Sequence, residues 1–97
     1  MLLEWTPRAR RARTAAIDYV ALDNPAAALA QLDEIERQTE MLIEHPGIGR
    51  TGRVNGTREL VINRTPFIAI YRVCGDVIQV LHLLHDAQQW PVTTGKN

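Results

Sequence analysis

The sequence predicts a small α+β domain, an antiparallel β-sheet packed against an N-terminal α-helical hairpin, in the order strand, helix, helix, strand, strand, strand. Three observations lead there. Two signals of a polar cap followed by proline, Thr6-Pro7 and Asn24-Pro25, each open a run whose apolar residues recur every three or four positions. A break, His45-Pro46-Gly47-Ile48-Gly49, stops that period. After it come three β-branched-rich runs of strand length.

In chain order, Leu2-Leu3-Glu4-Trp5 is a short strand. The first helix starts at Pro7, where a missing N–H costs nothing, and ends near Leu22, with Ala9, Ala12, Ala16, Tyr19 and Val20 as its buried stripe. The second starts at Pro25 and reaches about Glu44, burying Ala28, Leu32, Ile35, Thr39 and Leu42. So short a break between helices makes an antiparallel hairpin. The strands are Arg58 to Asn63, Phe67 to Val73 and Val77 to Leu84, the last two joined by a tight turn at Gly75-Asp76. Residues 92–97 form a polar tail expected to be loose.

With 97 residues and 45% apolar content, the chain suffices for one domain, 1–97, and one core. A lone cysteine, Cys74, cannot form an internal disulfide, and Met1 to Trp5 is too short for a signal peptide, so a cytoplasmic setting is expected. No apolar run approaches the roughly 20 residues that span a bilayer. Nor does any Cys/His spacing or phosphate-binding glycine loop call for a metal or cofactor, and none is expected.

Eleven Lys+Arg balance eleven Asp+Glu, which hides a segregation. The second helix carries Asp33, Glu34, Glu36, Glu40 and Glu44 against Arg37 alone, a face whose default reading is a solvated surface. The following loop and strands carry Arg50, Arg53, Arg58, Arg64 and Arg72 against Glu59 alone. Guanidinium grips carboxylate or phosphate bidentately, so this half is expected to face an anionic partner. A second basic run, Arg8, Arg10, Arg11 and Arg13, lies on the first helix and reads by default as solvated.

The stretch from His45 through Gly47, Gly49, Arg50, Gly52, Arg53 and Gly56 into Thr57-Arg58-Glu59-Leu60 carries a resemblance that later pieces reinforce. These are Tyr71-Arg72-Val73, the strand end Leu84-His85-Asp86-Ala87-Gln88-Gln89-Trp90-Pro91, and the helix start Asn24-Pro25-Ala26-Ala27. Taken in order they resemble the RelE/ParE superfamily of toxins from type II toxin–antitoxin systems. The resemblance implies a β-α-α-β-β-β domain that inhibits growth when free. It also implies neutralisation by a cognate antitoxin whose C-terminal segment wraps around the toxin. Given the charge split, that segment should be acidic, amphipathic and disordered until it binds.

Two targets are open within the superfamily. RelE-like members cut messenger RNA on the ribosome, and ParE-like members bind DNA gyrase and stall it on broken DNA. RNA cleavage needs a base for the 2′-OH, cations for the phosphorane and an acid for the leaving oxygen. For that reading His85 and Arg58 are the catalytic candidates, while Arg50, Arg53, Arg64, His82 and Trp90 are candidates for target or nucleic-acid binding.

Three of these have a structural alternative. His82 would share a face with Ile78, Val80 and Leu84 and could be a partly buried histidine. Arg58 could pair with an acid on the second helix. Trp90 could stack on a base, but a plug over the sheet edge is the favoured reading. Tyr71 reads as core. RelE-like nucleases tend to carry a lysine cluster before the central strands and a catalytic tail tyrosine or arginine. Here the loop has arginines and no aromatic follows Trp90. The balance therefore leans to ParE-like inhibition of gyrase. The alternatives are a ribosome-dependent endoribonuclease and a silent binding relative.

Overall fold

The computed structural model describes residues 1–85. Strand β1 (Leu2–Trp5) leads into helix α1 (Pro7–Asp23) and helix α2 (Pro25–Glu40), which a 3₁₀ turn (Met41–Ile43) prolongs. Then follow β2 (Arg50–Thr51), β3 (Arg58–Val61), β4 (Phe67–Cys74) and β5 (Val77–His85). Both predicted caps form: the Thr6 hydroxyl accepts from Ala9 N–H and the Asn24 side chain from Ala27 N–H, each at 3.1 Å, with proline at the first helical turn. Each cap satisfies a donor that the helix cannot, worth about 1 kcal/mol.

Helix α2 stops short of the expected Glu44. Near its end the Thr39 hydroxyl donates to Ile35 O at 2.7 Å and lies 3.2 Å from Glu36 O, the back-bonding that competes with regular helix, and the backbone tightens into the 3₁₀ turn. The strand after the break is also shorter than expected, ending at Val61 rather than Asn63.

The five strands lie in the order β1-β5-β4-β3-β2. All neighbours are antiparallel except β1 and β5, which are parallel, with Leu2 beside Val77 and Trp5 beside Val80. The sheet is therefore mixed, not purely antiparallel as expected, and the reason is β2. If every connection reverses the chain, the sixth element runs against the first and the seventh runs with it. The two-residue β2 adds the seventh element, so it turns the closing pair parallel.

One face of the sheet packs on the helices. Its core joins Ala9, Ile35, Leu42, Ile62, Phe67, Ala69, Tyr71, Ile78, Val80 and Leu83, with Ala12, Ala16, Ile17 and Val20 of α1 against it. The alanines bring α1 close to the strands. Each fully buried isoleucine contributes about 1.5–3 kcal/mol. Tyr19, expected in this stripe, is 77% exposed. The buried line runs through Ala9, Ala16 and Val20, and Tyr19, one residue short of Val20, is turned about 100° away from it. The opposite face carries a second buried group, Ile68, Ile70 and Leu84.

Candidate functional site

The five arginines after the helices do not form one open groove; they separate into distinct structural roles. At the sheet edge, β2 pairs Arg50 with Glu59 and Thr51 with Arg58. Glu59 is 2% exposed, and both neighbouring arginines converge on it. Arg50 donates from Nε (3.2 Å) and Nη2 (3.0 Å) to Glu59 Oε1. Arg53 donates its backbone N–H (2.9 Å) and Nε (3.0 Å) to Oε2, and Nη2 (3.2 Å) to Oε1. Burial alone would push the Glu59 carboxyl up. The hydrogen bonds from Arg53 and Arg50 overcome it and hold the group at about 2, while the carboxylate in turn raises Arg53.

This cluster borders a cleft of about 500 Å³ that Val61, Pro66 and Ile68 also line, beside Thr51 and Thr65. Sequence reasoning counted Glu59 only as an offsetting charge. The signal was present, since a single acid among five arginines in a strand-forming run is a natural focus for them. Its burial, however, depends on strand pairing.

Arg58 does not pair with an acid on the second helix. Its Nη1 donates to Gly49 O at 2.8 Å and lies 3.4 Å from Gly47 O, so it ties down the glycine loop. The fully buried Tyr71, Arg58's partner across the strands, holds the same loop: its hydroxyl donates to Pro46 O (2.7 Å) and accepts from Gly49 N–H (2.9 Å). Burial pushes the Tyr71 phenol up, partly offset by the Gly49 N–H and the Arg58 charge.

It is Arg64 that reaches the acidic helix. With φ 67° it sits in the left-handed region, and its Nε donates to Glu34 Oε2 at 3.1 Å. Glu34 also accepts from Gln38 Nε2 (2.7 Å) and pairs with Arg37, and these bonds, Gln38's first, lower it to about 2. This part of the helix face is thus joined to the β3–β4 turn and not merely solvated.

The two candidate histidines, His82 and His85, lie elsewhere. A register shift at Ile70/Tyr71 pairs Val80 with Tyr71 but His82 with Ile70. One extra residue thus stands between Val80 and His82, which breaks the regular alternation expected, and Leu84 joins Ile68 and Ile70 on the face away from the helices. His82 borders a second cleft, of about 540 Å³, with Ala12, Ala16 and Tyr19 of α1. Burial and then the positive charge of Arg8 lower its pKa. His85, exposed, meets Phe67 edge-on with ring centroids 6.1 Å apart. His85 pairs with Phe67 and Arg58 with Tyr71, four residues along β4, or about 13 Å. The two catalytic candidates are not brought together.

Trp90 and the 92–97 tail lie outside the described residues. Among the described residues no group of three or more His, Cys, Asp or Glu could hold a metal ion, and no helix is long and apolar enough to cross a membrane.

Known proteins share this arrangement. The family described as "ParE toxin of type II toxin-antitoxin system, parDE" matches residues 3–90. A Sinorhizobium fredii protein named "Putative toxin Y4kP" is 39% identical over 89 residues, 92% of each chain. A solved structure titled "Chromosomal ParDE TA system from P. aeruginosa" superposes with a TM-score of 0.80 at 34% identity, covering 88% of this chain and 95% of that one. The helical hairpin on a five-stranded mixed sheet is thus the fold of a known toxin family, and this chain belongs to the ParE toxin family of type II toxin–antitoxin systems.

Proposed function

We propose that this toxin arrests growth in the cytoplasm by binding DNA gyrase, without chemistry of its own, and that a cognate antitoxin with an acidic, amphipathic segment neutralises it. Family membership supports the toxin role and the antitoxin partner. The observation that carries the choice of target is the dispersal of the RNA-cleaving candidates. Arg58 is held by the carbonyls of the glycine loop, and His85 lies about 13 Å along the sheet from Arg58's position. Phosphoryl transfer needs its base and its cations around one phosphate, within hydrogen-bond reach.

The test is pulse labelling of cells after induction of the chain without its antitoxin, following methionine and thymidine incorporation together, and repeated with His85→Ala. Thymidine incorporation should fall first, with a DNA damage response, and His85→Ala should leave that unchanged. Purified gyrase should also lose supercoiling activity when the toxin is added. An early, isolated fall in methionine incorporation that His85→Ala abolishes would establish a ribonuclease instead. No fall in either would mark a silent relative.

A further inference from the structure

We infer that the cleft bordered by Arg50 and Arg53 is a receptor for a single carboxylate side chain of the antitoxin's acidic segment, and that Glu59 is the positioning residue that aims both guanidiniums at it. The inference rests on the proposed antitoxin partner and adds where, and by which groups, that segment is held.

Glu59 engages one edge of each guanidinium. All five of the bonds it accepts come from Nε, Nη2 or the backbone, and the Nη1 groups of Arg50 and Arg53 make no hydrogen bond to another described residue. The carboxylate is buried, with 1% of its side chain exposed, while the arginine side chains remain 56% and 44% exposed. Two positive charges therefore face the cleft over one buried negative charge, leaving an excess of one. That excess matches a single incoming carboxylate. Because Glu59 already fixes the two long side chains, an incoming anion does not have to order them.

The rest of the cleft selects the source of that carboxylate. The cleft is also lined by Val61, 47% exposed, and by Pro66 and Ile68, apolar groups suited to aliphatic neighbours of an acidic side chain rather than to a sugar–phosphate backbone. Strand β2 covers β3 only as far as Glu59, so no described strand covers β3's outer edge at Leu60 and Val61, and an extended segment can approach it. The chain's net charge of zero gives no general attraction to nucleic acid.

The experiment is calorimetric titration of the full-length toxin with its purified antitoxin, using Arg50→Lys, Arg53→Lys, their double variant and Glu59→Gln, each crossed with acid-to-amide substitutions along the antitoxin's acidic segment. Lysine keeps the charge but loses the planar fork, so the double variant should weaken binding by about tenfold or more. One antitoxin acid, once replaced, should abolish that difference. Glu59→Gln adds a net positive charge to the cleft. If charge alone attracted the segment, this variant would bind more tightly, whereas positioning requires it to bind more weakly. Should Glu59→Gln fail to fold, the lysine variants and their cycles carry the test.

Lysine variants that bind like the parent, or losses spread evenly over all the acids, would overturn this site and leave the antitoxin reading intact. Absence of binding by the unmodified toxin would overturn both. Displacement of the antitoxin by a short DNA duplex, with the same dependence on Arg50 and Arg53, would reassign the site to phosphate and overturn the carboxylate.

Discussion

The Tyr71 hydroxyl accepts a hydrogen bond from the Gly49 N–H at 2.9 Å, and a Cβ added to Gly49 would stand 2.6 Å from that ring. The glycine is thus required by close approach, and the tyrosine by the buried Gly49 N–H that its hydroxyl satisfies. Tyr71→Phe removes both loop bonds and leaves the Gly49 N–H unsatisfied, so it should destabilise the fold by about 1–3 kcal/mol. Gly49→Ala should cost about as much or more through overpacking. Urea unfolding of each variant measures both, and a Tyr71→Phe protein as stable as the parent would remove this account of the loop.

Gln38 plays the corresponding part for the β3–β4 turn. Its side chain accepts from Asn63 N–H (2.9 Å) and donates to Asn63 O (3.0 Å), as a paired strand would. Gln38→Glu is nearly the same shape but cannot donate when ionised. It should lower stability by about 1–3 kcal/mol near neutral pH and recover part of that as the pH falls and the carboxyl takes up a proton. Denaturant midpoints measured at several pH values test the crossover.

How much of this was legible follows the range of each interaction. Thr6-Pro7 and Asn24-Pro25 act within three residues, and the sequence showed both helix starts. The strand runs around Leu60, Ile70 and Val80 were visible for the same reason. Strand β2 is two residues long and has no periodicity to detect, and with it went the parallel pairing of β1 with β5. The register shift beside Tyr71 leaves no mark in composition either, so regular alternation was expected through Ile78, Val80, His82 and Leu84. Arg50 and Arg53 were recognised as anion-binding groups, but their buried counter-charge, Glu59, required strand pairing across nine and six residues. The pairing with an acid on α2 that was weighed for Arg58 falls to Arg64, which sits in the left-handed region in the β3–β4 turn, while Arg58 holds the glycine loop.

Acid should unfold the protein through its carboxylates. Glu59 titrates near 4.5 when free of its surroundings and at about 2 in the fold, where burial is outweighed by Arg53 and Arg50. Its contribution is therefore complete above about 4.5 and is lost as the pH falls toward 2. Glu34, lowered to about 2 chiefly by Gln38 and then Arg37 and Arg64, acts in the same window but should be weakened by salt. Urea midpoints between those pH values should decline steeply in the parent and less steeply in Glu34→Gln, with the difference shrinking at high ionic strength. Parallel curves would refute the assignment.

His82 should contribute its own slope at milder pH. Burial and Arg8 lower it from the usual 6.5, so the unfolded chain takes up a proton that the folded one resists. Stability should therefore begin to fall as the pH drops through 6.5, well before the carboxylates titrate. His82→Gln should flatten that region, and Arg8→Gln should raise the histidine's pKa, as read from its imidazole resonances in a pH titration. An Arg8→Gln protein with an unchanged His82 resonance would show that burial alone sets the shift.

Arg58 separates a structural from a catalytic reading of the arginines. Its bond to Gly49 O at 2.8 Å is a charged donor on a loop carbonyl, and Arg58→Ala should cost about 1–3 kcal/mol of stability. Arg58→Lys keeps a donor of similar reach and should recover part of it. Growth arrest by the three proteins, measured with their soluble levels, should then follow stability: weakest for alanine, intermediate for lysine, and restored for both by growth at lower temperature. A catalytic guanidinium behaves differently, because alanine would leave the protein folded and abundant while removing toxicity by about a hundredfold or more at every temperature. That second pattern would return the chain to the ribonuclease reading, with Arg58 at its centre.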